Sequence, residues 1–404
     1  MASSPSVRFL DRTTPPHILT LTLLAGISAL NMSIFLPSLS GMTDYFGTSY
    51  ATMQIAVSGY LLATAVLQFV IGPISDKIGR RPVVLVSLAI FVFATLSAML
   101  STTAETFLFF RLLQAAVATS ISLSRAIVRD MFDDRKAASM IGYVTMGMAL
   151  VPMLGPVLGG AIDQAFGWQM IFFALSLMGM GVLALSYFDL GETVRGGGTA
   201  FSDQLRTYPE IITSPRFWGY TAAAAFGSGA FFALLGGASY VSSTVFNLSP
   251  FWSGVAIGAP AIGYATGNGL SGRFTERFGI NRMALAGTII TLCGLIVSLI
   301  LTLLGISGPL LFFGFVTFLG LGNGMLMPNT TVGLMSVRPH LAGTASGLGA
   351  AIMIAGGAVL SQLAGAVLDG SDSPLPLQLV MVGTSAMALL SMILVILRAR
   401  QVEG

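Results

Sequence analysis

Gly72-Pro-Ile-Ser-Asp76-Lys77-Ile-Gly79-Arg80-Arg81 and Gly272-Arg-Phe-Thr-Glu276-Arg277-Phe-Gly279-Ile-Asn281 are two copies of one pattern, Gly-x-x-x-acid-base-x-Gly. Each copy ends one long apolar stretch and precedes another, so each reads as a short charged turn between two membrane helices. A repeat of this kind, half a chain apart, predicts two related halves within one membrane protein.

Composition leads to the same class. Charged residues make up 9% of the chain and hydrophobic residues 54%, against roughly 25% charged in soluble domains. With about 20 apolar residues needed per crossing, spans are expected near 18–40, 51–72, 83–101, 105–126, 138–163 and 168–189. The second half gives 217–243, 249–272, 283–304, 309–335, 342–369 and 376–397. The fold expected is therefore an all-α membrane protein of twelve transmembrane helices in two pseudo-symmetric six-helix bundles. Residues 1–190 form the first half, 191–216 a cytoplasmic linker containing Gly196-Gly197-Gly198, and 217–404 the second half. Within the linker, Ser202 could cap a short surface helix.

Basic residues set the orientation. Of 19 Lys and Arg, all but Arg111 fall in the N-terminus, the even-numbered connections or the C-terminus, while the loops around Asp44, Asp163 and Asp369 have none. The positive-inside rule places both termini and both repeat copies in the cytoplasm. The first span, flanked by Arg8, Arg12, Pro15 and Pro16, reads as an uncleaved anchor. The net charge of +3 is an insertion signal spread over many loops, so nucleic acid is excluded as a partner.

Several chemistries are excluded by absence. The only lysines, Lys77 and Lys136, are followed by Ile78 and Ala137, so there is no Gly-Lys-Ser/Thr phosphate loop. His17 and His340 stand at membrane edges without a neighbouring imidazole or thiol, which leaves no metal site, and no cofactor is implied. Gly267-Asn-Gly269-Leu-Ser-Gly272 matches a dinucleotide fingerprint but lies in a membrane helix, not after a strand. These glycines read as close helix packing, like Gly155-x-x-x-Gly159. Cys293, the single cysteine, excludes an intrachain disulfide and reads as a small core residue.

On these motifs the chain resembles a major facilitator superfamily transporter. Gly72 to Arg81 resembles the superfamily's signature loop, Arg111-Leu-Leu-Gln114 the fourth-helix signature of drug exporters, with Ala115 where Gly is usual, and Gly155-Pro156-Val-Leu-Gly159-Gly160 the fifth-helix antiporter signature, preceded by Gly142 but with Val151 at another usual Gly. Phe35-Leu36-Pro37-Ser-Leu, Ser124-Arg125-Ala-Ile-Val-Arg129-Asp130, Gly167-Trp168 with Ile171-Phe172, and Ala342-Gly343-Thr344-Ala-Ser346 are similar to the bicyclomycin and chloramphenicol resistance branch. The resemblance implies proton-coupled efflux of small organic molecules across a bacterial inner membrane. It also implies that Asp76 meets the eleventh helix, near Ala342, and Arg125 or Arg129 to latch the cytoplasmic side. One departure matters: the branch usually carries an Asp four residues before the Leu-Pro proline, where this chain has Ser33.

No acidic residue falls well inside a span; Asp44, Glu105 and Asp163 come closest, at the outer boundary. Arg111 is the one ionised group deep in a helix, about six residues or roughly 9 Å past the start of the fourth span. Insertion scales put Arg at a helix centre at about 2.5–3.5 kcal/mol, so it must face the interior and find partners. One reading makes it structural, bound to carbonyls and Ser or Asn side chains; the other makes it a substrate or coupling group. Gln114 shares its face at i+3, and Asn31 and Ser33 are facing candidates. Tyr60, Phe231, Asn323 and Asn329 complete the expected substrate-binding or coupling set. Gly72, Asp76, Lys77, Gly79, Arg80, Arg81, Arg125, Arg129 and Glu276 form the expected gate, and Gly155, Pro156, Gly159 and Gly160 the packing motif.

The leading functional reading is a monomeric alternating-access exporter whose partners are a small-molecule substrate, a proton and the bilayer. The alternative is uptake or exchange of an organic anion centred on Arg111, for which an anionic or zwitterionic substrate would supply the missing counter-ion. A transporter-like sensor or a membrane enzyme is a different class, and no nucleophile, base or metal constellation supports an enzyme. Reporter fusions in the 191–216 linker and at Gly404 are expected to report cytoplasm, and one beside Asp372 the outer side; a C-terminus on the outer side would overturn the span count.

Overall fold

The structure, a computed structural model, describes residues 7–132, 140, 144, 151–194, 208–338 and 341–403. Lys136, Gly142, the Gly196-Gly197-Gly198 linker core, the helix expected at Ser202 and His340 lie outside them. The first span is α1 (Ile18–Ser33), a 3-10 turn at Leu36–Ser38 and α2 (Leu39–Phe46). Pro37 sits in that turn, where its fixed φ and missing N–H bend the helix without breaking the span. The N-terminal half continues through α3 (Tyr50–Met53), α4 (Ile55–Ile78), α5 (Arg80–Met99), α6 (Ala104–Leu113), α7 (Thr119–Met131), α8 (Val151–Phe166) and α9 (Gln169–Asp189). The rest comprises α10 (Pro215–Tyr240), α11 (Pro250–Gly258), α12 (Pro260–Phe278), α13 (Ile280–Leu303), α14 (Pro309–Val337), α15 (Ala342–Leu368) and α16 (Leu375–Glu403). Proline opens α10, α11, α12 and α14, where its missing N–H is not needed.

Among the described residues, ten helices are long and apolar enough to cross a membrane. Two expected spans are not among them. The fifth, expected over 138–163, is described continuously only from 151. The eighth is interrupted at Ala259, and its longer part, α12, carries Arg273, Glu276 and Arg277 in its last turns. Cys293 is a correction: it is exposed. In a membrane helix such as α13 the outward face is apolar too, so a small apolar residue in a span does not by itself mark the interior.

Glycines and neutral hydrogen bonds hold the first half against the second. Ile34 O, Pro250 O and Pro156 O occupy the places where a Cβ on Gly159, Gly160 and Gly254 would sit, which brings α8 backbone to backbone against the first span and α11. Tyr50 Oη donates to Gly236 O at 3.0 Å, Gln54 Nε2 to Ser361 Oγ at 2.8 Å, Ser58 Oγ to Gln362 Oε1 at 2.6 Å and Gln362 Nε2 to Ala51 O at 2.9 Å. Ser40 N donates to Ser239 Oγ at 3.2 Å. All these contacts lie at the end away from the two signature loops. At the loop end, a Cβ on Gly72, Gly269, Gly272, Gly343 or Gly347 would meet nothing within 4 Å.

The two signature loops turn in the same way. Gly79 (φ 109°) and Gly279 (φ 82°) each link two helices through a backbone conformation that L side chains rarely adopt. Only the first is also crowded, by the Glu192 carboxylate. Gly79→Ala is therefore expected to destabilise the protein more than Gly279→Ala, the latter by about 1–3 kcal/mol from backbone strain alone. Thermal unfolding of the two variants checks this; equal midpoints would show that the Glu192 contact contributes nothing.

Candidate functional site

Arg111, on α6, is fully buried. Its Nε donates to Ala56 O at 3.0 Å, Nη1 to Asn31 Oδ1 at 2.8 Å and to Gln114 Oε1 at 2.5 Å, and Nη2 to Asn31 O at 3.0 Å. The guanidinium also lies over the rings of Phe35 (4.2 Å) and Tyr60 (4.4 Å). A cation in a low-dielectric interior needs acceptors or counter-charge, and here four neutral oxygen contacts and two π faces supply the environment. Hydrogen bonds to a charged group contribute about 1.5–3 kcal/mol each, and a desolvated cation–π contact about 2 kcal/mol. Together these exceed the insertion cost of one Arg without any carboxylate.

The local chain explains how this cage forms. Residues Gln114–Ala118 tighten into a 3-10 turn after α6, which sets Gln114 on the Arg111 face. Gln114 then donates from Nε2 to Thr95 Oγ1 at 3.1 Å, and Thr95 Oγ1 donates to Phe91 O at 2.6 Å, so α5 joins the network. Asn31 Nδ2 is buried and has no partner among the described residues, which leaves it able to donate to another group.

Asn31, Tyr60, Arg111 and Gln114 thus come together, and the other expected binding residues stand elsewhere. Ser33 bonds back to Ala29 O at 3.5 Å and faces Gly155. Phe231 is half-buried and packs near Phe232. Asn323 lies in a narrow polar cleft with Thr288, Thr291 and Ser385, its Oδ1 without a partner among the described residues. Asn329 joins α14 to α12, donating from Nδ2 to Ser271 Oγ at 2.8 Å and accepting from Thr275 Oγ1 at 3.1 Å. Phe35 and the Ala56 carbonyl were not singled out from sequence. Phe35 had a signal in its Leu-Pro motif, but a backbone carbonyl carries none.

The expected gate residues form a second cluster. Arg80 pairs through Nη2 with Asp76 Oδ1 at 2.6 Å and through Nε with Asp130 Oδ2 at 3.2 Å, and its Nη1 donates to Ser75 Oγ. Glu192 accepts from the backbone N–H of Arg80 at 2.9 Å and of Arg81 at 3.3 Å, capping α5 with a carboxylate at the positive end of its dipole. Arg81 donates from Nε to Leu190 O at 2.8 Å and from Nη2 to Tyr187 O at 3.1 Å. Lys77 is exposed. Asp76 therefore has its partner on its own half. Among the described residues neither Arg125 nor Arg129, both exposed, forms an ion pair, and neither does Glu276. Gly72 faces open space, whereas Gly155, Gly159, Gly160 and the Pro156 carbonyl are packed as described above.

Known proteins resemble this chain over most of its length. The family model described as Major Facilitator Superfamily matches residues 21–362. "Uncharacterized MFS-type transporter YdgK" of Bacillus subtilis (strain 168) is 27% identical over 85% of this chain and 87% of its own length. "Multidrug resistance protein D" of Escherichia coli (strain K12) is 26% identical over 91% of this chain and 92% of its own. A "Chloramphenicol resistance protein" of Pseudomonas aeruginosa is 33% identical over 51% of this chain and 49% of its own. Among solved structures, a bacterial homologue of the human lysosomal transporter Spinster superposes with a TM-score of 0.75 at 16% identity, over 95% of this chain and 96% of that one.

The cage makes a quantitative expectation. In a double-mutant cycle of Asn31→Leu and Arg111→Leu, read by thermal or chemical unfolding, the coupling is expected to be about 1.5–3 kcal/mol, as for a hydrogen bond to a charged group. Additive single effects would mean that the guanidinium is held by its other contacts alone.

Proposed function

The chain belongs to the Major Facilitator Superfamily, whose members are transporters and not enzymes, and we propose that it exports small organic molecules by alternating access, in exchange for protons. The proposed architecture is twelve spans in two pseudo-symmetric halves, divided in the 191–216 linker, in the inner membrane with both termini cytoplasmic. The observation that carries the reading is the unequal packing of the two ends. At the outer end, α4 meets α15 through the Gln54–Ser361 and Ser58–Gln362 hydrogen bonds. At the signature-loop end, the glycines of α4, α12 and α15 face open space. A molecule sealed outside and parted inside is an inward-open transporter, and the Asp76–Arg80–Asp130 and Glu192 contacts keep the first signature loop rigid while the halves part. Likeness over most of the chain to a multidrug resistance protein supports export of small organic molecules.

Ser33 removes the usual intramembrane carboxylate, so a proton must be carried nearer the outer boundary. Of the three carboxylates there, Asp44 and Glu105 are exposed and Asp163 is half-buried, on α8 beside the outer seal. Asp163 is the coupling group in this reading.

A second reading, exchange of an organic anion, is favoured by one observation: Arg111 is buried and has no carboxylate partner among the described residues. A carboxylate substrate reaching the cage would find Asn31 Nδ2 unpartnered and a guanidinium suited to bidentate contact.

Proteoliposomes decide between them. Under an imposed pH gradient, transport of a small panel containing chloramphenicol is expected to be gradient-driven in the parent and lost in Asp163→Asn, with Arg111→Ala and Arg111→Lys both losing binding while remaining folded. Gradient-driven transport that survives Asp163→Asn overturns the coupling assignment. A neutral compound bound equally by the parent and Arg111→Ala makes Arg111 structural.

A further inference from the structure

The outer surface of the N-terminal half carries a groove of about 630 Å³ between α5 and α9, lined by Val86, Ala89, Met180, Leu183, Ala184 and Tyr187 among others. It is almost wholly apolar. From Tyr187 to Met180 it runs seven residues along α9, about 10 Å at 1.5 Å per residue, long enough to take part of one acyl chain.

The groove's shallow end is basic. Arg81 is held over the Tyr187 ring at 5.4 Å, its Nε and Nη2 fixed on the Leu190 and Tyr187 carbonyls. Its Nη1 has no partner among the described residues. Nearby acids are already engaged. Glu192 caps α5, and the buried Asp189 accepts from Leu10 N at 2.7 Å, His17 N at 2.8 Å and Thr20 Oγ1 at 2.6 Å.

Those Asp189 contacts do more than satisfy a carboxylate. They strap the segment before α1 across the end of α9, with Leu10 held at φ 62°, and the strap presents Arg8, Phe9, Leu10 and Arg12 to solvent. Exposed Phe9 and Leu10, flanked by Arg8 and Arg12 with Asp11 between them accepting from Thr13 N and Oγ1, form an interfacial anchor beside a membrane helix. Basic clusters at the cytoplasmic edge between membrane helices attract anionic headgroups, each charge contributing roughly 1 kcal/mol.

We propose that this groove is a binding site for an anionic phospholipid of the cytoplasmic leaflet, with one acyl chain between α5 and α9 and the phosphate on Arg81, assisted by Arg8 and Arg12. The site rests on the proposed topology and on no feature of the transport pathway. A lipid here bridges the signature loop, the end of α9 and the N-terminal strap, and it would stiffen the same elements that Asp189 and Glu192 tie together.

The purified full chain in detergent is titrated with phosphatidylglycerol, with phosphatidylcholine and with glycerol 3-phosphate, and bound lipid is counted by native mass spectrometry alongside the thermal midpoint. Phosphatidylglycerol is expected to be retained in preference to phosphatidylcholine and to raise the midpoint. Arg81→Gln should weaken that retention roughly fivefold, the equivalent of one interfacial charge. Ala184→Trp, which fills the groove from its lipid-facing side, should abolish the preference and leave the midpoint without added lipid unchanged. Equal retention of the two lipids overturns the proposal, as does a preference that survives Ala184→Trp. Competition by glycerol 3-phosphate at the same concentration would make it a free-phosphate site and also overturn it. Should Arg81→Gln fail to fold, Ala184→Trp decides alone. Lipid retention is read without transport, so its failure leaves the transport reading standing.

Discussion

A guanidinium buried in a membrane helix with no carboxylate partner among the described residues is the constraint on which the packing around it depends. Arg111 must collect oxygen acceptors from whatever surrounds it, and it takes them from α1 through Asn31, from α4 through the Ala56 carbonyl and from its own span through Gln114. None of these acceptors brings a compensating charge. The aromatic faces of Phe35 and Tyr60 complete the shell on the remaining sides. Removing one acceptor leaves a buried charge short of a partner, whereas removing the charge leaves several polar groups short of theirs, so the three helices are locked in mutual position from either direction. The cage therefore ties α1, α4 and the span that carries Arg111 to one another.

The two copies of the signature loop show how a repeat can keep its geometry and divide its labour. Both need a glycine at positive φ to turn from one span into the next. The first copy adds a layer of charge: Asp76 and Asp130 clasp Arg80, and Glu192 caps the following helix. In the second, Glu276 and Arg277 are exposed and make no ion pair among the described residues. The turn is a property of the backbone and survives divergence. The clasp depends on Asp130 and Glu192, which belong to helix ends far along the chain.

That distinction also describes what could be read from the sequence. The apolar runs, the basic loops and the glycine spacing identify a multi-span helical protein, because each is a local consequence of the bilayer. Arg111 is legible as a buried charge, and Gln114 as its neighbour, because helical periodicity puts i and i+3 together. Which face of the first helix meets Arg111 is not legible: Asn31 and Ser33 are two residues apart and both polar, and it is the fold that packs α8 on Ser33 and sets Asn31 against Arg111. The Ala56 carbonyl has no sequence signature at all. Glu192 and Asp189 read as ordinary polar residues at a helix end, although one caps α5 and the other fastens the segment before α1. Cys293 fails in the opposite sense, since apolarity no longer separates inside from outside once lipid replaces water.

The seal at the end away from the signature loops is built differently from both clusters. Apart from glycine contacts it consists of hydroxyl and amide hydrogen bonds, Tyr50 to Gly236, Gln54 to Ser361 and Ser58 to Gln362, with no ion pair among the described residues. Each neutral hydrogen bond is worth about 0.5–1.5 kcal/mol net, because water replaces it when the surfaces part. A seal of this kind opens at modest cost and none of its members titrates near neutrality, so pH cannot act on it directly. In the proposed exchange, protons act beside this seal, and that proposal assigns them to Asp163, half-buried on the helix whose Gly160 and Pro156 backbones meet α11. On that proposal the cage around Arg111, which α8 meets through the packing of Gly155 and Gly159 on Ser33 and Ile34, would pass a local change at α8 to α4 and the fourth span.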